Sequence, residues 1–291
     1  MRTSTGLLAV LLRAEGTRHA PEKKMLSIGM HFLTTIANAF VEVPGVEAVT
    51  WGGSAALQRA DALSDYDLYV YSRAPVPLEV REKIISSRAC QYQLDNTFWE
   101  LEDDWTEPSG AEFNVMYRSC QEAEEEIERR LRRHVASLGY TTAWCFSISH
   151  SQILADPNGW FANLHRQTRE PYPNGLVQAI LRKNRPVLGG GMLCCYLRQI
   201  RAAVVRHDPV SLNHRVAAWL ASYFDILFAI NRRFHPGEKR LLIHAEQLPI
   251  LPERALTDVG ELCALAGELD QAITDHVERM LARLDKTIAG L

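Results

Sequence analysis

Residues 46–71, VEAVTWGGSAALQRADALSDYDLYVY, decide how the rest of the chain is organised. Val46 to Thr50 is a β-like run that stops at Gly52-Gly53-Ser54. Ten residues separate Ser54 from Asp65, where Asp65-Tyr66-Asp67 leads into a second β-like run, Leu68-Tyr69-Val70-Tyr71. Alternate residues of a strand point to the same face, so the two aspartates are predicted to stand side by side, roughly 7 Å apart along the backbone. Carboxylates that close raise each other's proton affinity unless a cation lies between them. The hard, oxygen-seeking ion suited to such a pair is Mg²⁺, which also holds nucleotide phosphates. Upstream, Gly52 and Gly53 let backbone N–H groups approach an anion closely, and Ser54 adds a hydroxyl donor. A phosphate cradle beside a metal-binding pair, Asp65 and Asp67, is the expectation.

The pattern resembles the signature of the polymerase-beta-like nucleotidyltransferase superfamily, which is Gly-Ser, about ten residues, then Ser-Asp-x-Asp-Leu. Gly53-Ser54 and Ser64-Asp65-Tyr66-Asp67-Leu68 match it residue for residue. The linking loop departs from it, with Ala56-Leu57-Gln58-Arg59 where a glycine is usual. The resemblance implies an α+β fold, a nucleotidyltransferase core with a mixed twisted sheet followed by an α-helical bundle domain. It implies transfer of a nucleoside monophosphate, AMP from Mg-ATP above all, to a hydroxyl of a small molecule. The stand-alone antibiotic-adenylylating enzymes share the helical second domain, which suggests an aminoglycoside-like or lincosamide-like acceptor. In that superfamily a third carboxylate sits on a later strand between two hydrophobic residues. Here the strand is Ala111-Glu112-Phe113-Asn114-Val115-Met116-Tyr117. Asn114 has the usual flanks, yet an amide is no base and a weak metal ligand. Glu112 shares its face and is the residue expected to join Asp65 and Asp67 as metal ligand and base, with Asn114 the open alternative.

Composition narrows the partners. The 291 residues have room for one large or two ordinary domains, and 47% hydrophobic with 23% charged residues suits a soluble globular protein. A net charge of −3 provides no overall basic surface, so nucleic acid is the less expected partner. Cys90, Cys120, Cys145, Cys194, Cys195 and Cys263 form no C-x-x-C pair or zinc spacing and suggest reduced thiols in a cytoplasmic protein. Leu7 to Leu12 is short and followed at once by Arg13 and Glu15, a terminal helix rather than a signal peptide. No run approaches the ~18–20 apolar residues of a membrane span.

Taken in order, residues 1–24 suggest a lead-in, 25–150 a catalytic domain and 151–291 an α-helical domain. Helical spacing runs from Met25 to Phe40, a short helix over 55–59 would point its N-terminus at the phosphate site, and another helix spans about 78–88. Tyr92 to Trp105 holds Asp95, Glu100, Glu102, Asp103 and Asp104, a solvated acidic loop or a face for a cationic substrate. Residues 121–138 suggest a helix, acidic first and basic later, and 141–148 a strand. Amphipathic helices follow over 159–168, 175–183, 190–205, 212–233, 254–267 and 269–288. The segment Asn231-Arg232-Arg233-Phe234-His235-Pro236-Gly237-Glu238-Lys239-Arg240 resembles one that recurs in the helical half of stand-alone nucleotidyltransferase-like proteins. By that resemblance Asn231, Arg232 and Lys239 reach over the triphosphate or the acceptor; by residue type alone they are a helix end with surface charge. Two further functions stay open, a nucleotide-binding regulator that has lost catalysis and an antitoxin-type enzyme that modifies a protein.

Overall fold

The computed structural model describes residues 22–53, 65–190 and 192–291. Ser54, the expected helix over 55–59 and the run at 7–12 lie outside the described residues. The β-branched, apolar runs on either side of Gly52-Gly53 form neighbouring strands: β1 (Val46–Trp51) is antiparallel to β2 (Tyr66–Ser72). On its other side β2 runs parallel to β5 (Glu112–Ser119). Two strands stand beyond it, β3 (Gln91–Asn96) and β4 (Glu102–Thr106), and β6 (Gln152–Ala155) closes the opposite edge against β1. The sheet is mixed and six-stranded, in the order β3-β4-β5-β2-β1-β6. The fold is α+β, as the sequence suggested.

One face of the sheet is covered by α1 (Glu22–Val41) and α2 (Leu78–Ser86). Leu33, Ile36 and Phe40 meet Val49, Leu68, Val70 and Val115 in a dry layer there. On the other face Ala48 and Tyr71 join a larger core that runs on through the helices. Its axis is α8 (Pro209–Ile230), whose ten residues from Ala221 to Ile230 are all buried. A helix apolar on every side belongs at the centre of a bundle. Around it lie α6 (Asn174–Leu188), α7 (Tyr196–Val205), α9 (Leu241–Ala245) and α10 (Ala255–Glu268), with α11 (Ala272–Ala289) packed on α7 and α10, while α5 (Trp160–Thr168) lies against β1. No helix among the described residues is long and apolar enough to cross a membrane.

Three local expectations are corrected. The acidic stretch at 92–105 is not a loop but the β3–β4 hairpin. The pleat separates its acids: Asp103 is buried on the helix-covered face, where Arg81 donates to it (2.8 Å) and the Tyr117 hydroxyl donates to its other oxygen (2.7 Å). Residues expected to form a strand at 141–148 instead form α4 (Ala143–His150). Cys145 and Ile148, three apart, are its buried residues, a helical period that a short apolar run cannot distinguish from a strand. The helix expected over 121–138 ends early, as α3 (Cys120–Ile127) and one π-helical turn to Arg132. Arg130 folds back there to donate to the Val135 carbonyl (2.6 Å), which turns the chain away from the helix axis.

Candidate active site

The tight turn after β1 brings the two halves of the motif into contact. The Gly52 N–H donates to the Asp67 carbonyl (2.9 Å), so the turn is pinned to the start of β2. Gly53 has φ +72°, the left-handed region that favours glycine, and a Cβ there would sit 1.8 Å from Asp67 Oδ2. A Cβ on Gly52 would strike the Tyr69 ring at 2.4 Å. Both glycines are therefore required by space, and the Asp67 carboxylate packs directly on the turn that was expected to cradle phosphate.

Asp67 is half-buried, and its pKa is pushed up to about 6. Burial is the largest cause; the Asp65 charge adds to it, Lys239 and Arg118 oppose it, and Glu102 adds a little more. Among the described residues no side chain donates a hydrogen bond to Asp67. Asp65 does have a donor: Asn114 Nδ2 gives it a hydrogen bond of 2.9 Å. Asn114 stands in register with Asp67 and acts as a donor to the neighbouring aspartate, while Glu112 is exposed at the start of β5, in register with Thr106.

The register also brings to this face acids that the sequence reading gave as a solvated loop or a face for a cationic substrate. Asp67 on β2, Asn114 on β5, Asp104 on β4 and Gln93 on β3 form one row across the sheet. Glu102 lies on the same face, two residues from Asp104, and Asn96 Nδ2 donates to both of them (2.9 and 3.2 Å). The acidic stretch itself was visible in the sequence. Only its period-2 alternation, Glu102 and Asp104 against Asp103 and Trp105, could have pointed to this face.

Farther along the same face, Arg118 closes the site. It makes two hydrogen bonds to Glu100 (2.9 and 2.8 Å) and stacks over Tyr69 at 3.9 Å and Trp144 at 4.7 Å. The partnered guanidinium stays charged, since Glu100 and the tyrosines outweigh its desolvation and hold its pKa above the ordinary arginine value.

Of the three expected residues in the helical half, Lys239 is the one whose charge is felt at Asp67. The Asn231 amide braces its own loop, donating to the carbonyls of Leu227 (2.8 Å) and Ile250 (2.7 Å) and accepting from the Ile250 N–H (2.8 Å). Arg232 donates to Asn174 (2.9 Å) on α6.

The donor set at Asp65 and Asp67 fits a divalent, oxygen-liking cation. Asp65 raises the pKa of Asp67, and the absence of a Cβ on Gly53 lets the Asp67 carboxylate lie against the turn. A second group, Asp258, Glu261 and His276, brings three ligand atoms within 4.8 Å of one another. Its positive complement is already supplied, because Arg254 (3.3 Å) and Arg283 both bind Asp258, and His276 Nε2 pairs with the Asp258 carbonyl (2.8 Å). It is an ion-pair network that joins α10 to α11.

No protein-family model and no curated protein sequence matches the chain. Among solved structures, a nucleotidyltransferase-like protein from Exiguobacterium sibiricum is similar over 90% of this chain and 75% of its own, at 12% identity and a TM-score of 0.44. The Thermotoga maritima CCA-adding enzyme, solved with tRNA, is similar over 94% of this chain and 82% of its own, at 12% identity and a TM-score of 0.30.

Proposed function

We propose that the protein is a Mg²⁺-dependent nucleotidyltransferase that passes a nucleoside monophosphate, AMP from ATP, to a hydroxyl of a small acceptor. One observation carries this reading: an aspartate pair at a glycine turn, with the Asp67 carboxylate packed where a Cβ on Gly53 would sit. The working division lies near residue 150, with β6 reaching back to the sheet and the nucleotide lying between the catalytic and helical parts.

Each group has a role that follows from its chemistry. Backbone N–H groups at Gly53-Ser54 hold phosphate oxygens, as turn amides do for anions, while the Gly52 N–H, which donates to the Asp67 carbonyl, keeps the turn in place. Asp65 and Asp67 would hold Mg²⁺, which when bound neutralises charge on the triphosphate. Lys239 adds a cation from the opposite side, and Arg118, already committed to Glu100, sets the potential of the cleft without leaving its partner. Asn231 holds the Lys239 loop in place rather than touching phosphate. For the third carboxylate we favour the β4 pair, Glu102 and Asp104, over Glu112, because Asp104 shares the Asp67 row and Glu112 is exposed at the rim. The acceptor oxygen attacks the α-phosphorus and pyrophosphate leaves, a reaction in which positioning and charge neutralisation do most of the work. Acids on that face would also suit a cationic acceptor, such as an amino sugar.

A second reading has its own support. Asn114 occupies the expected carboxylate position and donates to Asp65, as it would in a nucleotide-binding regulator without turnover. Incubation with ATP, Mg²⁺ and a panel of small hydroxylated acceptors separates the two. Pyrophosphate release together with a nucleotide-sized mass gain on one acceptor is the expected result. Tight Mg-ATP binding with no release on any acceptor favours the regulator, and no binding of Mg-ATP at all defeats both.

A further inference from the structure

A cavity of about 270 Å³ lies between α4, the end of α8 and α9. Phe146, Phe228 and Phe234 wall it, and His150, His244 and Gln247 bring polar edges. Phe146 and His150 stack at 3.9 Å between ring centres, and His244 meets Phe146 edge-on at 5.6 Å. Arg233 also lines it, and among the described residues no carboxylate does. Such a lining suits a flat, π-rich ring with hydrogen-bonding edges, attached to something anionic. The volume is below the ~300–1,000 Å³ of pockets that take whole drug-sized ligands, and suits a single ring system.

Two chain segments join this cavity to the phosphate turn. His150 ends α4, and Gln152, two residues on, pairs with Trp51 directly before Gly52-Gly53. The other segment runs from Arg233 and Phe234 to His244. Between them it carries Lys239, the cation felt at Asp67. The first of these segments touches the turn itself: Ser151 Oγ, next to His150, would stand 3.4 Å from a Cβ on Gly52. Asn231 holds this segment at both ends through Leu227 and Ile250.

We infer that the cavity receives the base of the nucleotide whose triphosphate lies over Gly53, Asp65 and Asp67, an assignment that rests on the nucleotidyltransferase reading. The base stacks on the phenylalanine faces. Gln247, with an amide donor and an acceptor, reads its edge.

Calorimetric binding of Mg-ATP and of Mg-tripolyphosphate to wild type, Phe146→Leu and Gln247→Ala tests the assignment. Tripolyphosphate has the anionic chain without the base. Phe146→Leu keeps apolar bulk and removes the ring face, and Gln247 is exposed, so melting curves on the same samples should stay close to wild type. Wild type should bind ATP more tightly than tripolyphosphate. Phe146→Leu should weaken ATP roughly tenfold, Gln247→Ala by a smaller factor, and neither should change tripolyphosphate. An unchanged ATP affinity in both variants, or equal weakening of both ligands, overturns the base assignment. Wild type that binds neither ligand overturns the nucleotidyltransferase reading instead.

Discussion

Asp67 and Asp225 are the same side chain under similar pressure, since burial pushes each pKa up to about 6. Their surroundings differ in kind. Asp225, in the middle of α8, accepts from the Thr141 N–H (3.0 Å), the Thr141 hydroxyl (2.6 Å) and the Asn184 amide (3.1 Å). Those bonds tie α8 to α6 and to the chain entering α4. Asp67 has no side-chain donor among the described residues; a second carboxylate and a glycine turn are its neighbours, and the Lys239 charge only partly offsets its burial. A buried acid with a full set of donors holds structure, whereas one beside a like charge stores electrostatic cost that a bound cation would relieve.

The largest expected effect separates the two aspartates by function. Asp67→Asn should lower transfer by roughly 10³-fold or more, in line with losing a group that stabilises developing charge, while the unliganded protein becomes more stable by about 1–2 kcal/mol after discounting for solvent screening. Steady-state pyrophosphate release and a urea melt report the two numbers. A destabilised Asp67→Asn would put Asp67 in the same class as Asp225.

Next comes the location of the third carboxylate. Glu102→Gln and Asp104→Asn should each weaken Mn²⁺ binding in the presence of ATP and slow transfer by roughly 10²-fold, and Glu112→Gln should do neither. Full activity in both β4 variants returns the role to Glu112 or to a group outside the sheet.

Asp225→Ala should show the opposite profile to Asp67→Asn. Losing the acceptor for three donors should cost about 3 kcal/mol of stability, with turnover per folded molecule unchanged. A turnover defect at full folding would mean that the α6–α8 tie transmits to the site.

The smallest effect is in pH. A carboxylate whose folded pKa lies above its unfolded value binds more protons when folded, so its contribution to stability is full below the unfolded pKa and is lost as pH rises through the folded one. For Asp67 and Asp225 that window runs from about 4 to about 6. Between pH 4 and 7 the wild type should lose about 1–2 kcal/mol more than Asp67→Asn does. Metal-dependent ATP binding should run the other way, falling as pH drops through 6. A metal affinity independent of pH over this range would show that Asp67 is not a ligand.

Both aspartates were plain in the sequence, but only one could be recognised there. The strand–turn–strand around Gly52-Gly53, the side-by-side carboxylates and the periodic helices of the second half were legible because each is a local pattern, set by residues a few positions apart. Two things hidden from that pattern were set by partners far along the chain. Glu102-Asp103-Asp104 looked like a solvated acidic run until pairing with β5 fixed which acids face the cleft and gave Asp103 a buried arginine. The run at 141–148 had apolar character enough for a strand, and packing made it α4. The segment at 231–240 named three residues for phosphate, and tertiary contacts divided them, Asn231 to the loop, Arg232 to α6 and Lys239 toward Asp67. The sequence alone determined where acid, glycine and helix occur, because backbone geometry acts within a few residues. Which acid is paired, which is exposed and which stands beside a like charge was decided by the tertiary structure, because charge and burial act between segments that only folding brings together.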